Sequence, residues 1–380
     1  MTSTTPEDLW SVHGDAWRDP EAVAVHWTEA ADVNPRVLRA RETGAFWDEL
    51  ERLGILLLIS REYEHFVMAL SVGKGRPRAT YIALPHPSGV AVDPAGPRVM
   101  IASTRNPNQV VEMQPVQDPD SGDSVLMPRS AAFHPGRLYL HDLGFVGGRL
   151  HGNATGMNAV VRLDGPGAAE PLWWPRAIER DGVPDLTRNT VQLNSIAAGD
   201  SLQTSFFSAS AAHVSARRPG HRNFPVDGRG VVFSGATREP VCAGLTRPHS
   251  AKLDGDRLWV DNSGYGEVGV VEDGRFEPVA RLPGWTRGLC LAEDVAIVGT
   301  SRVLPRFRQY APGLEEDRSE CAVHVIDACT GAVRGSLRWK EGNQIFAVEA
   351  LPDGAVLGFP FSDGRRSPAR VRSLFYGFRP

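Results

Sequence analysis

The chain repeats itself, and the repeat limits its fold more than any other feature. Segments beginning "HPSGVAVD" at His86, "YLHDLGFV" at Tyr139, "QLNSIAAG" at Gln192, "RPHSAKLD" at Arg247, "WTRGLCLA" at Trp285 and "QIFAVEAL" at Gln344 share one pattern. Most carry a polar or variable residue, then a small one, then alternating apolar positions. The third residues, Ser88, His141, Asn194, His249, Arg287 and Phe346, recur at intervals of 53, 53, 55, 38 and 59. A period of this size marks a repeat architecture, in which each unit buries its apolar faces only against its neighbours.

The first five starts are followed by a second strand-like run: "RVMIAST", "RLHGNAT", "LQTSFFS", "RLWVDNS" and "VAIVGTS". Third runs such as "NAVVRLD" and "GEVGVVED" and fourth runs such as "EPLWWP" and "FEPVARLP" follow in several units. The 39 glycines and 29 prolines fall between these short apolar runs, where turns need them. Four antiparallel strands per unit, repeated radially, is the pattern of a β-propeller.

The two ends agree with closure. Residues 54–85 supply three runs with no inner strand before them, whereas "QIFAVEAL" is an inner strand with little after it. Pairing these ends completes a sixth blade. The expected fold is therefore all-β, a six-bladed propeller over 54–380 with a short N-terminal helical extension over 1–53. In that extension "NPRVLRARETGAFWDELERLG" sets Val37, Leu38, Phe46, Trp47, Leu50 and Leu53 at helix-like spacing, starts at Asn34 and Pro35, and stops at Gly54.

Composition excludes several function classes. A formal net charge of -4 with mixed signs along the chain gives no footprint for nucleic acid or an anionic membrane. The N-terminus lacks a basic region followed by an apolar core, so the cytoplasm is the expected location. Cys242, Cys290, Cys321 and Cys329 form no CxxC pair and read as reduced thiols. "GRGVVFSG" has no Walker lysine and no GxSxG elbow occurs, so neither an organic cofactor nor an elbow-type serine hydrolase is expected. Oligomeric state is not legible.

In a propeller the innermost strands line the central channel, so residues at one repeat position form a ring near a mouth. Here the ring holds Ser88, His141, Asn194, His249, Arg287 and Phe346. Two imidazoles flanking an amide suit a divalent metal ion held by His141, Asn194 and His249. The same imidazoles, without metal, suit general acid–base work near neutral pH. Arg287 offers a planar fork for a carboxylate or phosphate. Asp142 follows His141 at the opposite parity along the strand. Two residues earlier lie His86, Tyr139, Gln192, Arg247, Trp285 and Gln344, further out, as a recognition ring.

The expected catalytic residues are thus His141, His249 and Arg287, with Ser88, His86, Tyr139, Gln192, Trp285 and Phe346 contacting substrate. Insertions at 209–229 and 303–320, after the second strands of the third and fifth units, are placed to cover one mouth. Asn153 and Asn262 read as turn residues, and His134, His151, His213, His221 and His324 as structural or surface residues.

"LHDLGF", "QLNSIAA", "RPHSAKLDGDRLWVDNSGYGE", "ARLPGWTRGLCL" and "IFAVEAL" resemble a bacterial family of conserved, uncharacterised proteins that look like six-bladed propellers. The resemblance spans Gly54 to Leu351 and implies a histidine where this chain has Gln192. More distantly the architecture is similar to the gluconolactonase and strictosidine-synthase superfamily, which implies a divalent metal or a channel-mouth acid. Of that superfamily's carboxylate and asparagine ring, Asn194 is matched. The expected function is an enzyme, a lyase, hydrolase or cyclase, acting on a small anionic metabolite at the channel mouth. The alternative is a non-catalytic scaffold binding a protein or glycan.

Overall fold

A computed structural model describes residues 30, 33–104, 108–117, 122–134, 136, 138–164, 169–352 and 356–360. Residues 1–29 and 361–380, the outer parts of the expected extension and propeller, lie outside these. Six blades of antiparallel strands surround a central channel. Blade 1 runs from its inner strand Pro87–Val92 through Val99–Ser103 and Gln109–Gln117 to Ser124–Phe133. Blades 2, 3 and 4 begin with inner strands Leu140–Val146, Leu193–Ala197 and Pro248–Asp254, and blade 5 with Trp285–Ala292. Blade 6 joins the chain ends, since its inner strand Ala347–Pro352 pairs with Ile55–Arg61, followed by Phe66–Gly73 and Arg76–Ala83.

Each pair of adjacent blades encloses an apolar layer, and the sequence shows why its strands look uniformly hydrophobic. In "ILLLIS" the side chains alternate: Leu57 and Ile59 enter the layer shared with blade 5, while Leu56 and Leu58 enter the layer shared with blade 1. A strand buried on both faces reads as a continuous apolar run rather than an alternating one.

The extension differs from its expected form. The segment begins as a 3-10 turn, Pro35–Leu38, capped by Asn34, whose side chain accepts from Arg36 N at 3.0 Å. Ala40–Gly44 is then a strand, antiparallel to Val333–Trp339, so blade 5 has a fifth, outermost strand. Helix α1, Phe46–Leu53, follows, burying Phe46 and Leu50 in the layer between blades 5 and 6. It ends at Gly54, whose left-handed φ of 57° lets its N–H reach Leu50 O and Glu51 O.

The two insertions stand where expected. The longer connections after Phe206–Ala209 and Val295–Ser301 meet over one mouth, where Ala211, Phe224, Val226 and Tyr310 form a small apolar cluster and Tyr310 Oη donates to Gly220 O at 3.0 Å.

Candidate anion-binding chamber at the covered mouth

Two backbone devices shape the ring. At four of the six inner-strand starts the residue two before the ring position is left-handed: His86, Tyr139, Gln192 and Arg247 have φ of 43°, 53°, 54° and 55°. A non-glycine residue in this region costs about 1–2 kcal/mol, so four equivalent ones are a fixed part of the unit. Asx and imidazole side chains from neighbouring turns secure the starts: His65 Nδ1 accepts from His86 N, Asn108 Oδ1 from Tyr139 N, and Asn158 Oδ1 from Thr190 N and Val191 N.

The second device is a β-bulge at the ring itself. Ladder register shifts between Pro87 and Val90, at His141, at Asn194, between His249 and Lys252, and between Thr286 and Leu289. A bulge inserts an extra residue and re-aims side chains. Consecutive residues therefore face the channel together: His141 with Asp142, Asn194 with Ser195, and His249 with Ser250. Strict alternation would have turned Asp142 away.

The ring residues His141, His249, Arg287 and Phe346 separate two spaces. Toward the covered mouth lies a chamber of about 150 Å³, also lined by Glu62, Tyr63, Tyr139, Gln192, Arg247, Trp285, Phe307, Tyr310 and Gln344. On the other side a constriction of about 20 Å³ is lined by Asp142, Asn194, Lys252 and Glu349. The structure thus brings together His141, His249, Arg287, Phe346, Tyr139, Gln192 and Trp285, with Asn194 on the channel side. Ser88 and His86 line neither space. The Ser88 hydroxyl sits 3.1 Å from Ala102 O and 2.9 Å from Leu140 O, tying blade 1 to blade 2, and the His86 ring packs edge-on against His65 at 4.3 Å.

Sequence reasoning missed Glu62, Tyr63, Phe307 and Tyr310 as individual residues, because they arrive on turns and an insertion outside the repeat. Arg247 was visible as a recognition-ring member, but its pairing with Arg287 was not.

Charge distribution decides what the chamber suits. Arg247 and Arg287 are both buried, and desolvation lowers each to about 10; Arg287 also pushes Arg247 down. Both remain cationic at neutral pH. Arg247 Nη1 donates to Gln192 Oε1 at 2.7 Å, and its guanidinium lies 4.5 Å from the Tyr310 ring centroid; Arg287 lies 3.3 Å from that of Phe346. Arg247 Nε and Arg287 Nη2 are buried without a partner. Glu62 supports the charge on Arg287, and its Oε1 accepts from Thr104 Oγ1 at 2.9 Å.

Burial holds both imidazoles well below the usual histidine range, and Arg287 and Arg247 add to that effect. Both rings are therefore neutral. His249 Nδ1 is 2.8 Å from Arg247 O, which can only accept, so Nδ1 carries the proton and Nε2 keeps its lone pair. His141 Nδ1 is buried without a partner, and its contact with Asn194 works against the depression.

Two guanidiniums oppose a divalent cation at the donor set His141, Asn194 and His249. The Asn194 amide nitrogen already donates to Ser210 Oγ and Pro248 O, leaving one buried oxygen beside two imidazoles. Arg287 and Arg247 both act on those imidazoles and repel a cation there.

Residues 44–357 match the family model described as Domain of unknown function (DUF4915). The chain belongs to this family. No curated protein matches it. Among solved structures, a nidogen–laminin complex aligns with a TM-score of 0.51 at 10% identity, covering 79% of this chain and 99% of that one. A protein from Bacteroides uniformis provisionally assigned as a 6-phosphogluconolactonase aligns with a TM-score of 0.42 at 14% identity, covering 78% and 99%. At 10% identity the likeness to the nidogen–laminin structure is one of fold. No helix among the described residues is long and apolar enough to cross a membrane.

Proposed function

We propose that the chamber binds a small anionic metabolite between Arg247 and Arg287, and that His249 and His141 then move a proton on it, in a lyase, hydrolase or cyclase step. One observation carries the reading: two buried guanidiniums repel each other, each with an N–H that has no partner. Unpaired buried donors cost about 1–3 kcal/mol or more each when charged, and an anion supplies the missing acceptor.

The same anion changes the histidines. Arg287 and Arg247 disfavour an imidazolium beside them. A bound carboxylate or phosphate offsets that field and raises the proton affinity of both rings. His249 Nε2, with its lone pair free, accepts a proton from a C–H or O–H of the substrate. His141, which takes up a proton together with the anion, gives it to the atom where charge develops, and the two rings return to their starting state by exchange with solvent after product leaves. The aromatic side chains Tyr63, Trp285, Phe307 and Tyr310 wall the chamber and strengthen the charge interactions inside it.

Isothermal titration calorimetry with inorganic phosphate and short carboxylates tests the binding half. Arg247→Ala and Arg287→Ala should each weaken anion binding by about tenfold or more, with Arg287→Lys restoring little because the planar fork is lost. Affinity unchanged in both alanine variants would refute the reading.

A further inference from the structure

The chamber is small and suits one end of a larger molecule. Its volume of about 150 Å³ compares with roughly 300–1,000 Å³ for ordinary ligand pockets. A vestibule of about 1160 Å³ lies directly against it, and the two share Tyr139, Gln192, Arg247, Phe307 and Tyr310 as lining. Arg247 belongs to both linings, so a molecule that reaches past it spans the two spaces.

The vestibule is also one-sided in charge. Arg180, Arg188 and Arg218 line it together with Arg247, and no Asp or Glu does among the described residues. The three outer arginines come from separate segments. Arg180 lies on the short hairpin Glu179–Arg180 with Val183–Pro184, Arg188 on the connection leading to blade 3, and Arg218 on the first insertion. The nearest opposing charge the structure pairs with any of them is Asp185, 3.0 Å from Arg188 Nε and outside the lining. Solvated arginines are ordinary on a protein surface. Three from different segments facing one cavity that is also lined by the buried Arg247 are a gradient of positive charge leading inward.

We infer that the ligand of this site is an elongated small molecule with two anionic groups, one seated at Arg247 and Arg287 and the other held in the vestibule by Arg180, Arg188 and Arg218. This rests on the anion-binding reading of the chamber. The chemistry shared by candidate ligands is a carboxylate or phosphate at each end of a short polar or apolar spacer, since the arginine fork accepts either group.

The test is calorimetric titration of α,ω-bisphosphates and α,ω-dicarboxylates of increasing chain length, each beside its monoanionic counterpart. It uses the full chain, an Arg188→Ser/Arg218→Ser variant and the Arg247→Ala variant. At an optimal length the dianion should bind about tenfold or more tightly than the monoanion, because the second contact is intramolecular. In Arg188→Ser/Arg218→Ser that advantage should vanish while monoanion affinity stays the same. Equal affinity of mono- and dianions at every length, with monoanion binding still dependent on Arg247, overturns the two-anion ligand and leaves the chamber reading standing. A dianion advantage that persists in Arg188→Ser/Arg218→Ser also overturns it. Monoanion binding that ignores Arg247→Ala removes the chamber reading itself.

Discussion

His141 and Asp142 show both what the residues of this chain disclose and where sequence reading stops. The repeat position identified His141, His249 and Arg287, and the structure places all three around one chamber. Asp142 was read at opposite parity, and only the bulge at His141 turns it into the channel. There its carboxylate accepts from Ile196 N at 2.9 Å and Leu143 N at 3.0 Å, yet burial raises it to about 6, against the pull of Lys252. A carboxyl whose folded value lies above its unfolded one favours the folded state when protonated. Its cost is absent at low pH, appears as pH rises from about 4 to 6, and is constant above. One unit is worth about 1.36 kcal/mol, so the shift from 3.8 amounts to on the order of 3 kcal/mol. Asp142→Asn loses one acceptor at every pH, so the informative quantity is its pH dependence. Relative to the parent chain, the variant should gain roughly 2 kcal/mol of unfolding free energy between pH 4 and pH 7.5 in urea denaturation. A difference independent of pH would show that Asp142 ionises normally.

At the scale of elements, the blades were legible because each strand buries a face against the next blade and so carries an apolar signature. The strand Ala40–Gly44 carries none. All five of its residues are exposed, and it exists because Val333–Trp339 offers an unpaired edge far away in the chain. Backbone pairing at an exposed edge leaves no pattern in the side chains, so the helical spacing on either side dominated the reading. The bulges were hidden for a related reason, although glycines mark two of them. Gly89 packs so closely that a Cβ there would stand 2.6 Å from Asp142 Cα, and Gly288, at φ 87°, would place one 2.8 Å from Val348 N. Gly288→Ala is both strained and crowded, and it should destabilise the fold by about 1–3 kcal/mol. Because Gly288 follows Arg287, the same variant should also weaken phosphate binding in calorimetry. Parent-like stability in a denaturant titration would mean that the inner strand of blade 5 can relax without this bulge.

The whole molecule is a closed ring of six apolar layers, and blade 6 shares its strands between the two chain ends. The repeat and the mismatched ends made this architecture readable, whereas the chamber needed the insertions, whose approach to one another leaves no periodic trace. Closure depends on Ala347–Pro352, which covers the edge of Ile55–Arg61 and faces blade 1 across Leu351 and Ala347. A chain ending at Gln344 should lose the single cooperative transition in scanning calorimetry. Retention of the parent melting temperature would show that the five remaining inner strands suffice. The central claim, that the covered mouth is an anion site built on Arg247 and Arg287, is tested most directly by crystals grown with selenate and measured at the selenium edge. The account predicts an anomalous peak in the chamber within hydrogen-bond distance of both guanidiniums, lost in Arg247→Ala/Arg287→Ala crystals. A chamber without selenate, or with a metal cation bound by His141 and His249, would contradict it.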